Sequence, residues 1–95
     1  MLQEIVNGAQ TKFIDVRSPQ EFNAGHFPGA QNIPLDTIRD HVEEIKNMKA
    51  PLVFYCRSGA RSTSAVMLLK QLGVQDIYNA GGLDDLLYIT KKQLN

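Results

Sequence analysis

The spacing of apolar residues changes several times along this chain, and each change marks an element. Leu2, Ile5 and Val6 give one or two amphipathic helical turns, after which residues 12 to 16 read as a buried strand ending in Asp15-Val16-Arg17. Ser18-Pro19-Gln20-Glu21 has the chemistry of a helix start: Ser18 as N-cap, Pro19 at the first helical position and Glu21 reaching back as the second half of a capping box. Gly25 ends that short helix. Phe27-Pro28-Gly29 turns the chain into a second strand over residues 30 to 33, and Leu35, Ile38, Val42 and Ile45 then stripe one face of a helix. Pro51 to Tyr55 is a short apolar, aromatic run with the character of a third, buried strand. From Ala60 the period lengthens again: Ala65, Val66, Leu68, Leu69 and Leu72 share a helical face, and Gly73 terminates it. Residues 76 to 79 predict a fourth strand, Ala80-Gly81-Gly82 a turn, and Leu83, Leu86 and Leu87 a last helix.

Strand and helix alternating in this way imply an α/β fold, a parallel sheet with helices on both faces and right-handed crossovers. Such sheets bind ligands at the carboxyl ends of their strands, a rule that gathers Asp15, Arg17, Pro34, Leu35, Cys56 and residues 79 to 82 at one edge. Ninety-five residues suffice for one hydrophobic core and no second one, so residues 1–95 are expected to form a single domain.

The chemistry concentrates in Tyr55-Cys56-Arg57-Ser58-Gly59-Ala60-Arg61-Ser62, which places the chain's only cysteine between a strand and the start of a helix. A tight loop there can turn successive backbone N–H groups toward one centre, reinforced by the positive end of the following helix. Two arginines, Arg57 and Arg61, flank it, and a free cysteine with pKa about 8.5 is typically lowered to roughly 3.5 to 7.5 in such a setting. A lone cysteine is more often a small buried hydrophobe, but core packing asks for neither two arginines nor a glycine at the exit of a strand. Cys56 is therefore read as a nucleophile held as thiolate.

The loop from Cys56 to Ser62 resembles the active-site loop of the rhodanese superfamily, Cys-Arg-x-Gly-x-Arg followed by Ser or Thr. Asp15-Val16-Arg17, Glu21-Phe22, Gly25-His26-Phe27-Pro28-Gly29-Ala30 and Asn32-Ile33-Pro34 are similar to the family's amino-terminal signature, and Gly81-Gly82-Leu83 to its carboxy-terminal glycine pair. The resemblance covers residues 12 to 87 and implies a rhodanese-like fold with a central four- to five-stranded parallel sheet. Residues 1 to 11 are too short and too helical to supply the extra leading strand that the family usually has, which favours four strands, as in its smallest single-domain members. The implied activity is that of a thiosulfate sulfurtransferase. Cys56 would be catalytic, and Arg57, Ser58, Gly59, Ala60, Arg61 and Ser62 would bind the substrate. Main-chain N–H groups of residues 57 to 61 would stabilise thiolate and outer sulfur, with Arg57 at the rim and Arg61 bracing the loop from beneath. Related phosphatases and arsenate reductases have five residues between cysteine and arginine, whereas Arg61 follows Cys56 after four, and Tyr55 stands where a phosphatase gains from histidine. A persulfide carrier or interaction module with little thiosulfate turnover is the main alternative, and a small phosphatase a weaker one.

Composition narrows the partners. Lys and Arg number 10, Asp and Glu 10, the formal net charge is zero, and no basic or acidic run is present, so neither nucleic acid nor an anionic membrane is expected as a partner. A small-molecule sulfur donor and a thiophilic acceptor are expected instead, with a sulfur-relay protein as a further candidate. No stretch approaches the roughly 20 apolar residues of a membrane span, and no secretory signal is visible, which makes the cytoplasm the expected compartment unless an export signal has been trimmed. One cysteine cannot form an internal disulfide, and it supplies no resolving partner for a redox cycle. No cofactor is expected, nor a metal, since His26, His41 and Cys56 are too few and too far apart in sequence. Ser58 and Ser62 fit either sulfur contacts or ordinary turn and cap positions. Asp15 and Arg17 read as structural, with Glu21 as a partner for Arg17; His26 reads as a backbone hydrogen-bonding residue, and His41 as lying on the polar side of its helix. The family often places an aromatic three residues beyond Leu83, where this chain has Leu86, leaving donor preference open.

Overall fold

A computed structural model describes residues 2–95 and follows the alternation read from the sequence. Helix α1 (Leu2–Val6) leads to strand β1 (Lys12–Asp15), helix α2 (Pro19–Ala24) and the two-residue strand β2 (Gln31–Asn32). A 3₁₀ helix (Leu35–His41) runs into α3 (Val42–Lys46), followed by β3 (Leu52–Cys56), α4 (Ala60–Gln71), β4 (Ile77–Gly82) and α5 (Leu83–Thr90). The strands form one parallel four-stranded sheet in the order β2-β1-β3-β4, so the fold is α/β and the sheet has four strands.

The central strand β3 is buried throughout, and its side chains alternate between two cores, as the two-residue period of a strand requires. Leu52, Phe54 and Cys56 join Ala65, Val66 and Leu69 of α4, with Ile38 and Ile45, on one face. Val53 and Tyr55 join Val6, Phe27, Leu83 and Leu86 on the other. This parity sends the Cys56 side chain toward α4 and that of Tyr55 away from it. The Tyr55 hydroxyl accepts the Phe27 N–H at 2.9 Å, and burial pushes its pKa up, so it stays neutral on the far side of the sheet from the sulfur.

Two elements differ from the sequence reading. The stripe Leu35-Ile38-Val42-Ile45 is not one helix but a 3₁₀ helix continued by a short α-helix, and Ile38 and Ile45 still reach the core. Strand β4 does not stop at Asn79; Ala80-Gly81-Gly82, expected as a turn, continue it, with Gly81 paired opposite Tyr55 and Gly82 opposite Cys56. The register shifts here, because Phe54 lies opposite Asn79 and leaves Ala80 as an extra residue. Bulges of this kind bend a strand and re-aim its side chains near functional sites.

Candidate active site

Cys56 ends β3, and α4 begins four residues later, so the loop between them is short and sharply turned. Gly59 makes the turn with φ of +106°, a left-handed conformation that costs a residue with a Cβ. The turn points its own N–H at Cys56 Sγ at 2.9 Å, and the Ser62 N–H in the first turn of α4 reaches the same sulfur at 3.4 Å. The Ser62 hydroxyl oxygen is 3.6 Å from Sγ. Cys56 is 1% exposed. Burial pushes its thiol up, while the Ser62 hydroxyl, where it turns toward Sγ, and the N–H groups of Ser62, Gly59 and Ser58 pull it down further, leaving it below the ordinary value.

Of residues 57 to 61, Gly59 makes the one well-formed main-chain hydrogen bond to the sulfur, with the Ser58 N–H a weaker neighbour; Ser62, one residue beyond that range, supplies the second. The reason is helical geometry. The N–H groups at the start of a helix have no intrahelical partner, and that of Ser62, within the first turn of α4, is free to face the loop. Ser58 is exposed and gives Sγ no side-chain hydrogen bond.

The arginines divide their work. Arg61 forms a fork with Glu21 of α2, Nη1 to Oε1 at 2.7 Å and Nη2 to Oε2 at 3.0 Å. Arg57 is exposed and makes no side-chain hydrogen bond or ion pair among the described residues. Two clefts of about 320 Å³ each border the loop, one lined by Arg61 with Val16, Pro34 and Leu35, the other by Arg57 with Arg17, Glu21 and Leu83.

The surrounding polar residues are structural, with one change of partner. Arg17 does not pair with Glu21. Its Nε and Nη2 grip the wholly buried Asp15 at 3.0 and 2.7 Å, its own N–H reaches Asp15 Oδ1 at 2.9 Å, and Nη2 also donates to the Gly25 carbonyl at 2.7 Å. A residue two positions along the same strand end lies closer than one across a turn. His26 Nδ1 lies 3.0 Å from the Phe22 carbonyl, a local backbone contact, and His41 faces solvent beside Glu44. Among the described residues no group of three His, Cys, Asp or Glu side chains is placed to hold a metal, and no helix is long and apolar enough to cross a membrane.

Two residues of the site escape a reading of the sequence. Glu21 announces itself as a capping residue, and it is one: Ser18 N–H donates to its Oε1 at 3.0 Å. That the same carboxylate holds Arg61, 40 positions away, has no local signal. Asn79 is placed at the correct sheet edge by the strand-end rule, but its meeting with Ser62 depends on its pairing opposite Phe54, on the face of the sheet that α4 covers.

Comparison with known proteins agrees with this geometry. The family model described as "Rhodanese-like domain" matches residues 1–86. Thiosulfate sulfurtransferase PspE of Escherichia coli is 33% identical over 79 residues, 82% of this chain and 76% of that protein. The uncharacterized protein YqhL of Bacillus subtilis is 41% identical over 73 residues, 77% of this chain but only 57% of its own length. A tRNA uridine(34) hydroxylase of Hamiltonella defensa is 30% identical over 100 residues, 97% of this chain and 28% of that protein. Among solved structures, "rhodanese with anions from E. coli" superposes with a TM-score of 0.71 at 33% identity, covering 79% of this chain and 89% of that one. The names of these relatives differ, but the family model spans most of the chain, and this chain belongs to the family of rhodanese-like domains.

Proposed function

We propose that this protein is a sulfurtransferase that moves a sulfane sulfur from thiosulfate, or a donor of the same kind, through a persulfide on Cys56 to cyanide or a thiol. The observation that carries this reading is the convergence of the Gly59 and Ser62 N–H groups on a buried Sγ whose thiol lies below its ordinary value. The thiolate attacks the outer sulfur of thiosulfate; the sulfur–sulfur bond of the donor breaks, and sulfite leaves with the electron pair. Cys56 then carries a persulfide whose outer sulfur holds the negative charge. Attack by cyanide on that outer sulfur forms thiocyanate and returns the thiolate. The loop acts before and during each step by holding fixed N–H dipoles where sulfur is negative, an arrangement that needs no reorganisation as charge moves.

Three further features support the reading. With only four residues between Cys56 and Arg61, the loop suits a single sulfur atom better than a tetrahedral oxyanion. Arg57 is the loop arginine left free to draw in an anionic donor, since Arg61 is engaged by Glu21. PspE, which shares the domain, is named a thiosulfate sulfurtransferase.

Incubation with thiosulfate and then cyanide should release thiocyanate, and Cys56→Ser should abolish the release. A silent wild type that nevertheless gains one sulfur on Cys56, seen by mass spectrometry, would make the protein a persulfide carrier. Turnover of an aryl phosphate without sulfur transfer would overturn both.

A further inference from the structure

Ser62 has one hydroxyl hydrogen and four neighbours that compete for it. Its Oγ lies 2.7 Å from Asn79 Oδ1, 3.1 Å from the Gly59 carbonyl, 3.5 Å from the Gly81 carbonyl and 3.6 Å from Cys56 Sγ, and the residue is wholly out of solvent. The orientation of the Asn79 amide decides the contest. A backbone N–H can only donate, and that of Gly81 reaches the Asn79 side chain at 2.9 Å, so the atom facing it is the oxygen. The other end of the amide, Nδ2, donates to Thr63 Oγ1 at 2.7 Å. The Thr63 hydroxyl donates at 2.7 Å to the Gly59 carbonyl, which also accepts the Thr63 N–H at 2.9 Å, so both lone pairs of that carbonyl are taken. Asn79 Oδ1 remains as the best-placed acceptor for the Ser62 hydrogen.

We propose that Asn79 is a positioning residue for Cys56, holding the Ser62 hydroxyl hydrogen away from the sulfur so that the hydroxyl can turn toward Sγ only by giving up its bond to Oδ1. Asn79 acts through Ser62 and does not touch the sulfur. The resting sulfur then relies on the Gly59 and Ser62 N–H groups as standing donors, and the hydroxyl is a third donor whose use Asn79 restrains. The inference deepens the sulfurtransferase reading by naming a residue that sets the sulfur's reactivity, yet the hydrogen-bond argument concerns the thiol itself.

The charged groups around the sulfur are Arg57 and Arg61, Glu21 of α2 paired to Arg61, Asp15 with Arg17 at the end of β1, and Asp84 and Asp85 at the start of α5. The variants below alter none of them, so their influence cancels in a four-way comparison.

The experiment measures the pH dependence of Cys56 alkylation by iodoacetamide in wild type, Asn79→Leu, Ser62→Ala and the double variant, with thermal unfolding as the check on folding. Leucine keeps the branched shape of asparagine and lacks its polar atoms. Asn79→Leu should lower the apparent thiol pKa by about one unit, the scale of one hydrogen bond to a charged group. Ser62→Ala should raise the pKa more in the Asn79→Leu background than with Asn79 present. Equal effects of Ser62→Ala in the two backgrounds, or an Asn79→Leu variant whose thiol pKa is unchanged or raised, would overturn the proposal. Should Asn79→Leu fail to fold, Ser62→Ala alone still decides: a shift well under one unit supports a restrained hydroxyl, and a rise of about two units or more refutes it. Alkylation needs no sulfur donor, so failure of this inference and failure of the sulfurtransferase reading give different results.

Discussion

Glu21 and Arg61 face each other as a fork, both carboxylate oxygens against both terminal guanidinium nitrogens at 2.7 and 3.0 Å. The pair joins α2, which follows β1, to the first turn of α4, which follows the cysteine loop. Glu21 also accepts the Ser18 N–H, so one carboxylate ends the capping of one helix and fixes the start of another. Planar, two-bond pairing restricts Arg61 more than a single contact would, and that restriction keeps its charge beside the loop instead of in solvent.

Acid should weaken this tie. The hydrogen bonds from Arg61 and the Ser18 backbone hold the Glu21 carboxyl at about 2 against an ordinary 4.5, and the Arg61 pKa moves up in step. A carboxyl lowered by folding contributes its stability fully above the ordinary value and loses it as pH falls toward the lowered one. The side chains are 38% and 27% exposed, so solvent screening reduces the contribution to about 1 kcal/mol. Glu21→Gln, which can still cap Ser18, should lower the melting temperature at pH 7 by roughly 4 to 8 °C. The gap between variant and wild type should close between pH 4.5 and about 2, which calorimetry across that range would check.

Asp15 and Arg17 present the opposite case, a pair almost without solvent. Asp15 is 0% exposed and depends on Arg17 for four hydrogen bonds, three of them from the guanidinium. Arg17→Met strips the buried carboxylate of its guanidinium partner, leaving it the backbone N–H of residue 17 and the Tyr55 hydroxyl, and should cost about 3 to 5 kcal/mol. Against a total stability of about 5 to 15 kcal/mol for a domain, that is enough to unfold a large fraction of the molecules at moderate urea. Changing both partners, Asp15→Asn with Arg17→Met, should recover part of the loss, and urea titration of the single and double variants measures it.

How much of this could be read in advance depends on the range of the interaction. The capping box of Ser18 and Glu21, the terminator Gly73, the buried strand β3 and the sharp turn between it and α4 all rest on residues within a few positions of one another, and these stand as read. The partner of Arg17, the partner of Arg61 and the meeting of Asn79 with Ser62 depend on which elements lie side by side, and the sequence carries no local mark of that. The extension of β4 through Gly81 and Gly82 was hidden for another reason. Consecutive glycines are ordinarily turn residues, and here they continue a strand because Gly82 must pass close to the backbone of the cysteine loop.

That close passage gives a sharp prediction. A Cβ on Gly82 would lie 2.6 Å from the Arg57 carbonyl oxygen, a backbone atom at the entrance of the loop. Gly82→Ala must therefore move either β4 or the Arg57-Ser58 peptide, and movement of that peptide takes the Gly59 N–H, on the next peptide along the loop, away from Sγ. Loss of one preorganised donor typically costs about 2.7 to 4 kcal/mol of barrier, so thiocyanate formation should fall at least a hundredfold. The thiol pKa, lowered in the wild type, should rise back toward the ordinary value, and an alkylation profile that does not move to higher pH would contradict this account.

Arg57 separates the capture of a donor from the chemistry on it. Its side chain holds no partner among the described residues and stands by the cleft shared with Leu83, whereas Arg61 is committed to Glu21. Removing an exposed, unpaired charge should change stability by no more than about 0.5 kcal/mol. It should, however, weaken the pull on a dianionic donor. For Arg57→Ala the KM for thiosulfate should rise several-fold with kcat little changed, and Arg57→Lys should restore most of the loss, because attraction at the rim needs charge more than a planar fork. The defect should also shrink as ionic strength is raised, since salt screens exposed charges over about 8 Å at 0.15 M. Steady-state rates for the three proteins at low and high salt test both statements together. A kcat defect that persists at saturating thiosulfate and is insensitive to salt would instead assign Arg57 to the reacting atoms.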